Sequence, residues 1–298
     1  MTINASSRST GTTSCTLYAD NIARIALACA GVSGDPTVAV AIETLGGAAP
    51  FVAAVHDGRD GAAALSPLTR QRVRAFASVS RVTAVLESMA QHGINVLSPM
   101  HLEWPTQVAA LRGAAPLVLF THGDVTTLKS PTIALTGTAA PTAFGIHLAL
   151  ELGTGLADRG WGIAAGAGSG IDLLALNAAQ AMSSRTITVA AASLEGNAPE
   201  TRFGGVWVSE LPPIALVTVR SQRRAKHLLA ALTVKTILVE ASLSSGALRT
   251  AEAAHAMSRP VGVVTGPEGN PSSVGCRDLA ARHGLASIAS IVDADRLR

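Results

Sequence analysis

The sequence predicts an α/β protein: a small all-α module at 17–92, then a parallel-sheet domain over 93–298. Three observations predict it. Twice between 131 and 182 a short apolar run meets a glycine turn and then a helical pattern, the β-α-β-α alternation of a parallel sheet. Residues 17–92 instead show apolar residues at three-to-four spacing, punctuated by Pro and Gly. Finally, 298 residues with 48% hydrophobic and 14% charged content are enough to bury a large core.

Taken in order, residues 1–16 are polar and lack an apolar signal core, so they are expected as a flexible tail. A helix over 17–31 places Ile22, Ile25, Ala26 and Cys29 on one side. Pro36 opens a second helix, which Gly46-Gly47 ends. A short helix over 48–55 and a longer helical stretch over 66–90 complete the module. The turn from Leu45 to Pro50 either joins two helices or grips a DNA backbone through its amides.

Strands at 93–97 and 117–120 form the first edge of the main domain. A strand at 132–135 then enters the Gly137-Thr138 turn. Thr142 caps a helix carrying Phe144, Leu148, Leu152 and Leu156. The second unit has a strand at 163–165, the turn Gly166-Ala167-Gly168-Ser169-Gly170 and a helix over 171–182. Strands at 186–192 and 206–208 follow, and Arg220 opens a helix through Leu232. A strand at 236–240, the turn Ser244-Ser245-Gly246, a helix at 247–257, a strand at 261–265 and a helix at 275–283 finish the pattern.

Glycine turns ahead of helices let amides approach an anion, and a helix N-terminus carries roughly half a positive charge. The same glycines also serve tight packing. Gly166-Ala-Gly-Ser-Gly lacks the dinucleotide spacing, and no acidic residue ends a strand near 190, which disfavours a nicotinamide cofactor. Arg220, Arg223, Arg224, Lys226 and His227 make the most charged segment. It is either a solvated basic face or a phosphate-backbone contact, with Arg220, Arg223 and Arg224 expected on one side and Arg223 stacked on His227. Ser244, Ser245 and Gly246 offer donors at a strand's carboxyl end, or simply cap a helix.

Asp172, Glu210 and Glu240 sit at strand ends or helix starts, but no catalytic arrangement can be assigned, so no catalytic residue is expected. Cys15, Cys29 and Cys276 have neither metal spacing nor a disulfide framework, which predicts a cytoplasmic chain without metal. No apolar run reaches transmembrane length, so no membrane partner is expected. A net charge of +3 is compatible with nucleic acid, while 3% aromatic residues leave few platforms for bases.

Read together, the pieces resemble the DprA/Smf family of DNA-processing proteins over about 18–292. The landmarks stand in family order. They are Glu103-Trp-Pro105, Pro116-Leu-Val-Leu-Phe-Thr-His-Gly123, Gly137-Thr-Ala-Ala-Pro-Thr-Ala-Phe-Gly145, Ala165-Gly-Ala-Gly-Ser-Gly-Ile-Asp172, Ser209-Glu-Leu-Pro-Pro213 and Val239-Glu-Ala-Ser-Leu-Ser-Ser-Gly-Ala-Leu-Arg-Thr-Ala251. The resemblance implies an extended Rossmann-like domain preceded by a helical module of the SAM or helix-hairpin-helix kind. It implies a homodimer that binds single-stranded DNA, protects it and loads a RecA-type recombinase during transformation. It implies neither an enzyme nor a cofactor.

The implied DNA site comprises Gly137, Thr138 and Thr142, then Gly166, Ser169 and Gly170, then Ser244, Ser245 and Gly246, with the basic residues of 220–227. The chain departs from the family at four places: Ala139 stands for an arginine, Ala225-Lys226-His227 for Arg-Asn-Arg, Leu176 for a histidine, and the segment between Ala192 and Trp207 is short and lacks the usual Tyr-Pro. Arg223 and Arg224 are expected to replace the missing charge. The alternative readings are a nucleotide-binding sensor or phosphoribohydrolase-like enzyme on the same fold, and a scaffold that has lost its ligand. Against the hydrolase, the chain has Ser244-Ser-Gly-Ala-Leu248 where those enzymes have Pro-Gly-Gly-x-Gly-Thr.

Overall fold

The computed structural model describes residues 8–59, 65–196 and 205–298. Five helices come first: α1 (Arg8–Cys29), α2 (Pro36–Thr44), α3 (Ala48–Asp57), α4 (Pro67–Phe76) and α5 (Val79–Gln91). Helix α1 starts inside the segment expected as a polar tail, which corrects that expectation for 8–16; residues 1–7 lie outside the described residues. The stretch expected as one helix over 66–90 is two. Ala77 leaves helical geometry at ψ 58°, and extended Ser78 starts α5. Asp35 caps α2 ahead of Pro36 by accepting the Thr37 amide, and Ser66 caps α4 in the same way with Thr69.

The sheet has nine strands among the described residues. They are β1 (Asn95–Leu97), β2 (Leu119–Gly123), β3 (Thr132–Thr136), β4 (Gly162–Gly166), β5 (Thr186–Ala190), β6 (Val206–Ser209), β7 (Lys235–Leu238), β8 (Val261–Val263) and β9 (Ala286–Ser287). Their spatial order is β1-β2-β6-β5-β4-β3-β7-β8-β9. From β6 to β9 all neighbours are parallel, while β1-β2 and β2-β6 are antiparallel. The Rossmann-like sheet is therefore extended by an antiparallel edge that the expectation of a parallel sheet did not contain. Beyond β3 the chain steps outward one way through β4 and β5, then returns through β7 on the other side. That reversal is a topological switch point, where open α/β sheets hold ligands at the strands' carboxyl ends.

Helices α6 (Ala143–Asp158), α7 (Ile171–Ala181), α8 (Val219–Leu232), α9 (Leu248–Ala256), α10 (Val274–His283) and α11 (Ile291–Arg296) cover the sheet. Strand alternation decides which face each side chain joins. Ile133, Leu135, Ile163 and Ile237 pack with Leu152 and Leu156 of α6 and Ala175 of α7. Ala134 and Ala164, one residue out of phase, pack with Leu228, Leu229 and Leu232 of α8. Small Ala on the α8 side lets that helix lie close to the strands. The helical module has no separate core from the sheet edge. Ile25, Phe51, Val73 and Val85 share one cluster with Val118, Phe120, Ala190 and Leu194.

Candidate nucleic-acid interface

Two buried carboxylates fix the glycine turns. Asp172, 3% exposed on the first turn of α7, accepts from the Thr136 hydroxyl (2.8 Å), the Gly137 amide (3.2 Å) and the Gly166 amide (3.1 Å). One side chain thus ties the turn after β3 to the turn after β4. Burial pushes its carboxyl above the ordinary range; Lys226, 3.7 Å away, and the donated hydrogen bonds pull the other way. Glu240, fully buried just beyond β7, accepts from the Thr142 amide (2.9 Å), the Thr142 hydroxyl (2.7 Å) and Asn270 Nδ2 (3.2 Å).

Close approach explains two of the glycines. A Cβ at Gly137 would lie 2.7 Å from Ile171 Cγ1 and 2.9 Å from the Glu240 carbonyl oxygen. Gly170 has φ 71°, and a Cβ there would run into the Thr138 carbonyl. The two turns are also stitched through backbone: the Ile171 amide donates to Thr138 O at 3.1 Å, and the Thr138 amide to Glu240 O at 2.7 Å. Gly137, Thr138, Thr142 and Gly170 therefore build the carboxyl rim of the sheet rather than an open loop. Thr142 also caps α6, accepting the Gly145 amide at 3.3 Å.

Helix α8 divides the basic segment. Val219, Gln222, Arg223 and Lys226 face a cleft of about 430 Å³, whose other walls are Gly166, Gly168, Gly246 and Arg249. Exposed Arg223 and Arg249 carry no side-chain hydrogen bond or ion pair among the described residues. Ser169 is exposed at the tip of its turn, and Ser244 and Ser245 flank Gly246. Ser245 Oγ accepts the Ala247 amide at 3.3 Å, as a helix-start hydroxyl does, and Ser244 pairs with Ser242 at 3.3 Å.

Arg220, Arg224 and His227 go elsewhere, which corrects the expected sharing of one face. Arg224 Nε donates to Glu210 Oε2 at 2.6 Å, and its Nη2 donates to Ala114 O at 3.1 Å. Its Nη1 reaches Gly34 O, and Arg220 Nη2 donates to Ser33 O at 3.3 Å. Both guanidinium groups thus hold the α1–α2 loop against α8. Burial pushes the Glu210 carboxyl up, opposed chiefly by Arg224. His227 lines a different cavity, with Arg112 and Met257. Burial, then the charges of Arg224 and Arg249, hold its imidazole below the ordinary value. The Leu45–Pro50 turn is likewise committed: buried Asp20 accepts the Ala48 and Ala49 amides at the start of α3.

Arg249 and Gly168 were not among the residues picked from the sequence. Arg249 was legible in principle, because it stands three residues after Gly246 at the start of α9. Among the described residues no group of three or more His, Cys, Asp or Glu is placed to hold a metal, and no single helix is long and apolar enough to cross a membrane.

A mostly parallel Rossmann-like sheet, with a cationic cleft between glycine turns at its carboxyl rim, defines a Rossmann-like α/β protein with a candidate anion site. Residues 95–295 match the family model for DNA recombination-mediator protein A, and the chain belongs to that family. It is 32% identical over 234 residues to a putative DNA processing protein DprA of Mycobacterium tuberculosis, covering 72% of this chain and 60% of that one. The DNA processing protein DprA of Bacillus subtilis is 27% identical over 227 residues, covering 71% and 76%. The chain thus spans 60% of the length of the M. tuberculosis relative. The solved DprA of Streptococcus pneumoniae superposes with a TM-score of 0.76 at 21% identity, over 93% of this chain and 98% of that one. The DprA of Helicobacter pylori, described in a single-stranded DNA binding mode, gives 0.59 at 24% identity, over 67% and 93%. At these identities the two structures establish a shared fold.

Proposed function

We propose that this chain binds single-stranded DNA along the cleft between α8 and the Gly166 and Gly246 turns. One observation carries the reading: two guanidinium groups without a partner among the described residues and the Lys226 ammonium line a single cleft with two glycine turns at the sheet's carboxyl rim. Arg223, Lys226 and Arg249 take successive phosphates. Gly166, Gly168 and Gly246 leave room for the strand to approach the backbone. Lys226 is held by Asp172, whose other bonds fix both turns, so the cation and the rim form one rigid unit. The chain acts by binding, in the cytoplasm, as a homodimer that delivers the strand to a RecA-type recombinase. Its family membership supports this role.

The competing reading, a nucleotide-processing enzyme, needs a carboxylate free to meet substrate. Glu240 is fully buried and already accepts three hydrogen bonds, and Asp172 is engaged in the same way. The test is a titration of labelled oligothymidine at ~50 and ~200 mM salt, where neutralising about three phosphates gives a log–log slope near −2. Absence of binding at the lower salt ends the proposal.

A further inference from the structure

We propose that the apolar ridge between β6 and α8 is a platform for the bases of the bound strand. This proposal rests on the single-stranded DNA reading above. The ridge exposes Ile214 (56%), Leu216 (85%), Val217 (48%) and Val219 (66%) in one short stretch. Four large aliphatic side chains exposed within six residues are a local concentration of the kind that marks interaction sites.

The ridge is held in place rather than loose. The Ile214 amide donates to Glu195 Oε2 at 2.6 Å, and the Ala215 amide to Pro212 O at 3.2 Å. Its far end is locked by a reciprocal cap, with the Ser221 amide on Thr218 Oγ1 at 3.0 Å and the Thr218 amide on Ser221 Oγ at 2.9 Å. Ile214 sits at φ 62°, a conformation that a β-branched side chain disfavours, so the surrounding bonds impose this shape.

Position identifies the occupant. Val219 belongs to the ridge and also lines the cleft beside Arg223 and Lys226. Leu216 lines the neighbouring pocket, with Arg72 and Arg220. Through Val219 the exposed aliphatic stretch adjoins the cationic cleft, while Arg72 and Arg220 on its other side are committed to the Gly31 and Ser33 carbonyls. A single strand has that same pairing of properties, a row of phosphates with unstacked apolar faces beside it. Proteins of this kind normally seat bases on aromatic rings. Among the described residues no aromatic side chain lines the cleft, and the exposed aliphatic chains supply the apolar contact there.

The test compares oligothymidine with an abasic deoxyribose-phosphate strand of equal length, measured on the wild type and on Leu216→Ser with Val219→Ser. The wild type should bind oligothymidine about tenfold tighter than the abasic strand, and the double variant should bind both with the wild type's abasic affinity. Leu216→Phe should tighten oligothymidine binding about threefold and leave the abasic strand unchanged. Equal binding of both strands by the wild type overturns the platform while leaving the phosphate cleft standing. Binding of neither strand overturns both. A double variant that loses affinity together with a change in sedimentation of the free protein assigns the ridge to a contact between copies, and overturns the base platform.

Discussion

Arg223 and Arg224 are neighbours in sequence and differ in almost everything else. Arg224 is largely buried against Glu210 and donates to carbonyls of two other segments. Arg223 is exposed in the cleft without a partner among the described residues. One helical step of about 100° separates them. Arg220 and Arg224, four apart, face the helical module, whereas Arg223 and Lys226, three apart, face the glycine turns. A run of positive charge on a helix therefore serves two purposes: one side fastens a module, the other is available to an anion. The difference has an electrostatic reason. Glu210 needs a cation because it is buried, while no carboxylate among the described residues pairs with Arg223 or Arg249.

Arg224→Ala breaks the comparison from the structural side and should have the largest effect. It leaves Glu210 buried without its cation and frees two carbonyls, at a cost of about 3–5 kcal/mol in urea unfolding. Adding Glu210→Leu to Arg224→Met should recover most of that loss, because the pair then becomes apolar packing. If Arg224→Ala left stability unchanged and abolished DNA binding, the division of labour along α8 would be wrong. Arg223→Ala and Arg249→Ala sharpen it from the other side. Stability should change by less than about 0.5 kcal/mol, as expected for exposed positions. Oligothymidine affinity should fall about tenfold for each, with the salt slope flattening by about 0.7 per lost phosphate contact.

Most of the fold was legible because it rests on local signals. Thr142, Asp35-Pro36 and the two glycine turns mark helix starts that the structure reproduces. The antiparallel edge was not legible. β2 pairs with β6, and three strands separate the two in sequence, so no local pattern reports the pairing. The site divides in the same way. Gly166, Gly246, Arg223 and Lys226 were chosen for chemistry that needs only a turn and a helix start. Arg220, Arg224 and His227 have the same local chemistry, yet their neighbours come from the α1–α2 loop, the segment around Ala114 and the end of α9, which spacing along α8 does not encode. The role of Asp172 was hidden for a similar reason. A first-turn carboxylate reads as a partner for the helix dipole, and only the folded chain brings Gly137, Gly166 and Lys226 to it.

His227 gives the finest test of the division, because it sits on α8 one residue after Lys226 and lines the cavity beside Arg112 and Met257 rather than the cleft. Burial, Arg224 and Arg249 lower its imidazole below the ordinary 6.5. In the window between that lowered value and 6.5, the unfolded chain binds a proton that the folded chain does not. Its contribution to stability is therefore complete above about pH 6.5 and is lost as pH falls through the folded value. His227→Gln should remove this part of the acid sensitivity in unfolding curves taken between pH 7.5 and pH 5.5. Near neutral pH the imidazole is uncharged, so the same substitution should change oligothymidine affinity by less than about twofold. A fall comparable to that of Arg223→Ala would place His227 on the DNA side of the helix, and would reverse the assignment of faces on which the comparison of Arg223 with Arg224 depends.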